Sequence, residues 1–348
     1  MVLLGACNGD AGQDTAAATT TAPATPTTTA PATTTTAPLS CAGIGPPPQG
    51  AEITYVKASR LEAVAPDGTG RRCLLDGVPA PAQAPLAWGG AADRLLVPPT
   101  HVYLADGQRS ADVGPQATSS WSRPTGTSVL AVGRDRHLRK HPHAGGPFTD
   151  ISFLRRTDEA VYHPAGRHIA AVGVDHDGRY GITLATNRGE NPRPLAVGET
   201  AERIHSLTFT QDGMALHFLA DHGDRVDLHT IGLGGGGLGT LPTVGRPEAV
   251  VVSPFTSSLI AYQNACSTFV IDNGVQRQPL DRVRPIGFLG DGRLVVLGGC
   301  EGAGDIRVVG TDNVLGPVVV RGVEHVALRQ SLPTPGQLPQ LDPNPPPA

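Results

Sequence analysis

Three observations predict an all-β chain closed into a β-propeller: turn-forming residues are abundant, helical periodicity is missing, and one hydrophobic unit returns about every 40 residues. Glycine and proline number 44 and 33 among 348 residues, the composition of many short strands joined by tight turns. No heptad or long amphipathic pattern runs through the chain, and no apolar stretch reaches the 18 or so residues of a membrane-crossing helix. The returning unit is a strand ending on a bulky apolar residue, a Pro/Gly turn and a second apolar strand. Taking Trp88, Trp121, Tyr162, Phe209, Val252 and Phe288 as equivalent, the spacings are 33, 41, 47, 43 and 36 residues, with a mean of 40. That is the length of one four-stranded propeller blade.

In chain order, the first segment is Met1-Val2-Leu3-Leu4-Gly5-Ala6-Cys7. Leu4-Gly5-Ala6-Cys7 resembles the lipobox of bacterial lipoproteins, and the resemblance implies lipidation of Cys7. Only six residues precede Cys7, fewer than a signal core requires, so residues 1–7 read as the remnant of a lipoprotein signal. Residues 8–40 read as a disordered linker. Within them, Thr15–Pro38 holds 12 Thr, 8 Ala and 4 Pro in 24 residues, too little apolar area to offset the entropy of ordering. Residues 41–330 are assigned to the propeller. Residues 331–348, with 7 prolines in 18, form a second disordered tail.

Within the propeller region, Trp88 leads to Leu95-Leu96-Val97, Trp121 to Val129–Val132, and Tyr162 to Ile169–Val172. Phe209 leads to Leu216–Leu219, Val252 to Leu259–Tyr262, and Phe288 to Leu294–Leu297. Asp106-Gly107 and Asn273-Gly274 add the positive-φ pairs of tight hairpins. Ahead of the first anchor lie three strands, Ile53–Val56, Leu61–Ala65 and Arg72–Leu75, without a clear inner one. Beyond the last unit lies one unpartnered strand, Val323–Leu328. A C-terminal strand completing the N-terminal three closes the ring and removes an exposed sheet edge. The count is then seven blades, or six if two weak units merge. The pattern resembles the blades of the TolB-like (WD40/PD40-type) propeller family, with the Ser-Pro of its turn kept fully at Ser253-Pro254. That resemblance implies protein partners in the cell envelope.

Five cysteines are present: Cys7, Cys41, Cys73, Cys266 and Cys300. None is spaced as a CxxC pair or with histidine as a zinc ligand set. One lipidated thiol and two disulfides account for all five in an oxidising compartment. Cys266 and Cys300 follow the second strands of neighbouring blades, which makes a bridge between them reasonable. Cys41–Cys73 would tie the first strand region to the outer strand of the closing blade. Free buried thiols are the alternative.

The function classes are narrowed mainly by exclusion. With 27 basic and 31 acidic residues, no broad basic surface for nucleic acid is expected. GxSxG, HExxH and GxxxxGK[ST] do not occur, so serine hydrolase, zincin and P-loop chemistry lose support. His137–His143 carries three of the twelve histidines, but Arg139 and Lys140 within it oppose cation binding, and it reads as a solvated basic hairpin. Asp175–Arg179 and Asp221–Arg225 are matching turns in which Asp serves turn geometry more simply than calcium. The inner strands are expected to present mainly Ala, Ser, Thr and aromatics, with His163 and His205 as exceptions. No catalytic residue, metal or cofactor is assigned. The expected protein is an extracytoplasmic, lipid-anchored monomer whose propeller binds an envelope protein, peptide or glycan. The alternative is a propeller enzyme of the lactonase, glycosidase or quinoprotein-dehydrogenase kind.

Overall fold

The chain divides into two units, Met1–Pro38 and Leu39–Ala348. The computed structural model describes residues 40–333 except 79–85, 90, 98–100, 105–106, 108, 114–115, 123–124, 198–200 and 235–236. Cys7, nearly all of the Thr/Ala/Pro segment and most of the Pro-rich tail therefore lie outside the described residues. What is described is all-β: seven antiparallel sheets, six of four strands and one of five.

Blade 1 joins the two ends of the fold, pairing His325–Arg329 with Glu52–Lys57, followed outward by Arg60–Val64 and Arg72–Leu75. The inner strands of blades 2 to 7 are Ala87–Trp88, Gln116–Trp121, Arg156–Tyr162, Arg203–Phe209, Pro247–Val252 and Val283–Phe288. Each blade then runs outward in sequence order, and blade 6 carries an extra short strand, Leu280–Asp281. Consecutive inner strands touch around the whole circle, with blade 1 meeting both blade 2 and blade 7. The expected closure by a C-terminal strand is present, and the blade number is seven rather than six.

All six sequence anchors are the last residues of inner strands. Their position explains the repeat. The second strands are almost wholly apolar and buried, as in Val129–Val132 and Ile169–Val172, because they lie between two neighbouring sheets. The aromatic anchors lean back on the preceding blade. Trp88 Nε1 donates to Thr54 Oγ1 at 2.8 Å. Trp121 Nε1 donates to the Ala87 carbonyl at 2.9 Å, and the Tyr162 hydroxyl lies 3.3 Å from Ser128 Oγ. A buried ring brings large apolar area and one polar atom needing a partner, and the neighbouring blade supplies both.

Five inner strands also carry a bulge: between Gln116 and Thr118, Thr157 and Glu159, His205 and Thr208, Pro247 and Ala249, and Pro285 and Gly287. A bulge adds local twist and re-aims side chains, which suits strands splayed around an axis. Cys41 is joined to Cys73 and Cys266 to Cys300, with Cα separations of 4.5 and 4.8 Å. The second bridge links the hairpins after the second strands of blades 6 and 7. Two disulfides fit an oxidising, extracytoplasmic setting. Among the described residues no helix is long and apolar enough to cross a membrane.

Candidate functional site: the axial cavity and its rim

The inner strands all run the same way, so their last residues gather at one end of the axis. There, blades 1, 2, 6 and 7 enclose a cavity of about 440 Å³. Its lining includes Trp88, Val252, Phe288, Leu328, Gln330 and Leu332, and none of its lining residues is titratable. The bulge before Gly287 brings blades 7 and 1 together here. A Cβ at Gly287 would come within 2.8 Å of Leu328 Cδ1, so a side chain at that position would oblige Leu328 to shift.

Gln330 is the polar exception. It is 8% exposed, and its Nε2 donates to the Phe288 carbonyl at 2.8 Å. That bond fixes the amide orientation, because a carbonyl accepts only from the NH₂ group. Oε1 is left buried with no hydrogen-bond partner. An unmatched buried acceptor costs about 1–3 kcal/mol, and a donor brought by a ligand would recover it.

Arg329, just before Gln330, seals the rim. It is fully buried. Its Nε donates to the Ala92 carbonyl, Nη1 to Ile44 O and Glu52 Oε2, and Nη2 to Gly45 O and Pro46 O, all within 2.7–3.0 Å. These satisfy all five guanidinium donors. The same group lies 4.8 Å from the Trp88 ring centroid, a cation–π contact in a desolvated setting. In blade 1, Arg329 thus holds the strand-end position that aromatics hold in five of the other six blades, and it binds three remote chain segments to the closing strand.

The histidines do not form a catalytic group. His163 lies just past the inner strand of blade 4. Its Nδ1 accepts from the Ala165 N–H at 3.1 Å while Nε2 donates to Gly213 O of blade 5 at 3.0 Å. Burial pushes its pKa down to about 4, so it is a neutral spacer between turns. His205 Nδ1 is 3.1 Å from Ser206 Oγ, and burial lowers its pKa. The His137–His143 segment lies in the outer hairpin of blade 3, with Leu138–Pro142 as its third strand. Its His141 is buried against Phe148, with ring centroids 5.4 Å apart. Apolar residues on both sides of that sheet draw part of the segment inward, so it is only partly solvated. The Asp turns match their geometric reading. Asp175 Oδ1 accepts from the Asp177 and Arg179 amides, and Asp221 Oδ1 accepts from the Gly223 amide.

One expectation about the inner strands needs correcting. Besides small and aromatic residues they carry Arg156, Asp158, Glu159, Arg203, Glu248, Arg284, His325 and Arg329. Most sit near the strand starts, at the end of the axis opposite the cavity. Glu159 among them reaches across to blade 5. Its carboxylate accepts the Ser206 and Leu207 amides at 2.8 and 2.9 Å, where Ser206 has a φ of 58° inside the blade 5 bulge. Burial raises its pKa, and the two amides pull it back. Sequence reasoning missed Glu159, Arg329 and Gln330. The closing strand as read from sequence stopped at Leu328, one residue short of Arg329.

No protein-family model matches the chain, and no curated protein does either. Solved structures do. An oligogalacturonate lyase from Vibrio parahaemolyticus aligns with 11% identity over 73% of this chain and 84% of that one, at a TM-score of 0.57. A putative TolB from Agrobacterium tumefaciens aligns with 11% identity over 80% and 98%, at 0.50. The Cps50 (Swd1) propeller domain of Myceliophteria thermophila aligns with 14% identity over 71% and 96%, at 0.52. The fold is a seven-bladed propeller of the kind seen in TolB-like proteins. At these identities the likeness concerns fold alone.

Proposed function

We propose that this is a surface-held binding propeller whose axial cavity takes an apolar peptide segment of an envelope protein. The observation that carries this reading is the cavity's lining: aliphatic and aromatic walls, no titratable side chain, and one buried acceptor, Gln330 Oε1. Small apolar sites with a few placed polar groups fix orientation through those groups. A backbone N–H flanked by aliphatic side chains matches this chemistry. A glycan, which needs many polar partners, matches it poorly, and general acid–base catalysis needs a titratable group that these walls lack. The Leu4-Gly5-Ala6-Cys7 motif and the Thr/Ala/Pro segment support lipid anchoring at Cys7 with the propeller held off the membrane. The protein acts as a monomer in this reading.

The test is capture from an envelope extract by the full chain carrying a photo-crosslinker at Leu332. A defined envelope protein captured by the wild-type cavity, and lost in Val252→Asp, supports the reading. Equal capture by both proteins, or turnover of a polysaccharide or lactone by the purified chain, overturns it. Metabolic labelling with a fatty-acid probe checks the anchor, and label persisting in Cys7→Ser would reject it.

A further inference from the structure

At the opposite face from the cavity, the hairpin joining the second and third strands of blade 5 gathers His222, Asp227 and His229. One ligand atom from each lies within 4.8 Å of the others, and all three residues are half-buried. Local folding explains the grouping. Asp227 and His229 are two apart on the third strand, Val226–Gly232, so they project from one face. The turn after Ala215–Asp221 carries His222 back over that face. His222 Nε2 already stands 3.4 Å from Asp227 Oδ2, close to the ligand-to-ligand separation of a tetrahedral ion with bonds of about 2.0–2.1 Å. Thr240 Oγ1 on the outer strand lies 3.1 Å from His229 Nδ1. Coordination through Nε2 would leave that bond to fix the ring's tautomer, as outer partners of metal-bound imidazoles do.

We propose that His222, Asp227 and His229 bind a divalent ion of the zinc class. Two imidazoles and one carboxylate suit zinc, cobalt, nickel or copper rather than calcium or magnesium, which prefer all-oxygen sets. A fourth position is left for water. Arg225 is the competitor: its Nε donates to Asp227 Oδ2 at 3.0 Å. Its side chain is largely exposed, so it can swing away when the ion arrives.

The experiment titrates the full chain with Co²⁺, following its visible absorption, and with Zn²⁺ by calorimetry at pH 7.5. One equivalent is expected, with affinity weakened at least about 10-fold in His222→Ala and in His229→Gln. Arg225→Ala should bind more tightly than wild type, which a misfolded variant would not do. His137→Ala and His143→Ala should bind as wild type. No stoichiometric binding by wild type, or binding unaltered in both His222→Ala and His229→Gln, overturns the site. Neither result bears on the axial cavity, whose lining shares no residue with this hairpin.

Discussion

The two ends of the propeller axis join neighbouring blades by different means. Where the inner strands finish, blades meet through rings and enclosed bonds: Trp121 on the Ala87 carbonyl, His163 on Gly213, and Arg329 on Ala92 and residues 44–46. Where the strands begin, they meet through exposed arginines. Arg246 reaches Asp221 and Gly223 of the preceding blade, and Arg136 pairs with Asp158 of the next. Contacts shut off from water keep their strength in salt, and those at the surface are screened. The enclosed end can therefore leave a gap in its ring, as the cavity does, without opening the seam.

The largest test of this contrast is Arg329→Met. It leaves the Ala92, Gly45 and Pro46 carbonyls buried without their donor, while Glu52 keeps Arg72, and a loss of about 3–5 kcal/mol is expected in urea unfolding. A loss below about 1 kcal/mol would show that the closing blade does not depend on this residue. The opposite end has one strong link, the bridge between blades 6 and 7. Replacing Cys266 and Cys300 together by serine should cost about 3–4 kcal/mol for a loop of this size, the two cysteines standing at a sequence separation of 34.

Acid attacks the enclosed end more than the exposed one. His163 and His217 are buried with pKa values lowered to about 4, mainly by desolvation, against about 6.5 in an unfolded chain. The unfolded state therefore binds more protons between pH 6.5 and 4. Stability is full above that window and falls as pH drops through it, by up to about 3 kcal/mol for each histidine. Unfolding midpoints should move to lower denaturant from pH 7 to 5.5 to 4.5, and His163→Gln should flatten the dependence. An unchanged slope in that variant would contradict the buried neutral state. The smallest effect belongs to Arg246→Ala, under about 1 kcal/mol and reduced further in 1 M NaCl. Trp121→Phe, losing one enclosed bond of about 1 kcal/mol, should be insensitive to salt.

Much of this architecture is readable in the sequence because it rests on local, repeated signals. A bulky residue followed by a Pro/Gly turn and an apolar run marks each inner-strand end. Trp88 and Phe288 were placed by that pattern without knowledge of their partners. The seventh blade follows from three strands at one end and one at the other. Arg329 was not readable for the converse reason. An arginine at a strand end looks like surface, and its partners at Ile44, Gly45, Pro46 and Ala92 are remote in sequence or carry no side-chain signal. Bulges hide the site too: the slip between Thr157 and Glu159 moves Glu159 out of simple alternation. Gln330 follows the last strand residue, and its unmatched oxygen is defined only by the carbonyl of Phe288. His222 lies within the Asp221–Arg225 turn that the sequence marks, but pairing it with His229 requires knowing where the hairpin folds back.

Blade 1 has a consequence for how the molecule comes into being. Thr54 and Ala327 are bonded across a sequence separation of 273, so the first sheet to be made is the last to be finished. As the chain folds, six blades can assemble while the first waits with an unpaired edge, and contacts of such long range are slow to form. Ring formation resembles fastening a belt, with Arg329 as its buckle. A chain stalled short of that residue would present the open edge of Glu52–Lys57 to any passing strand.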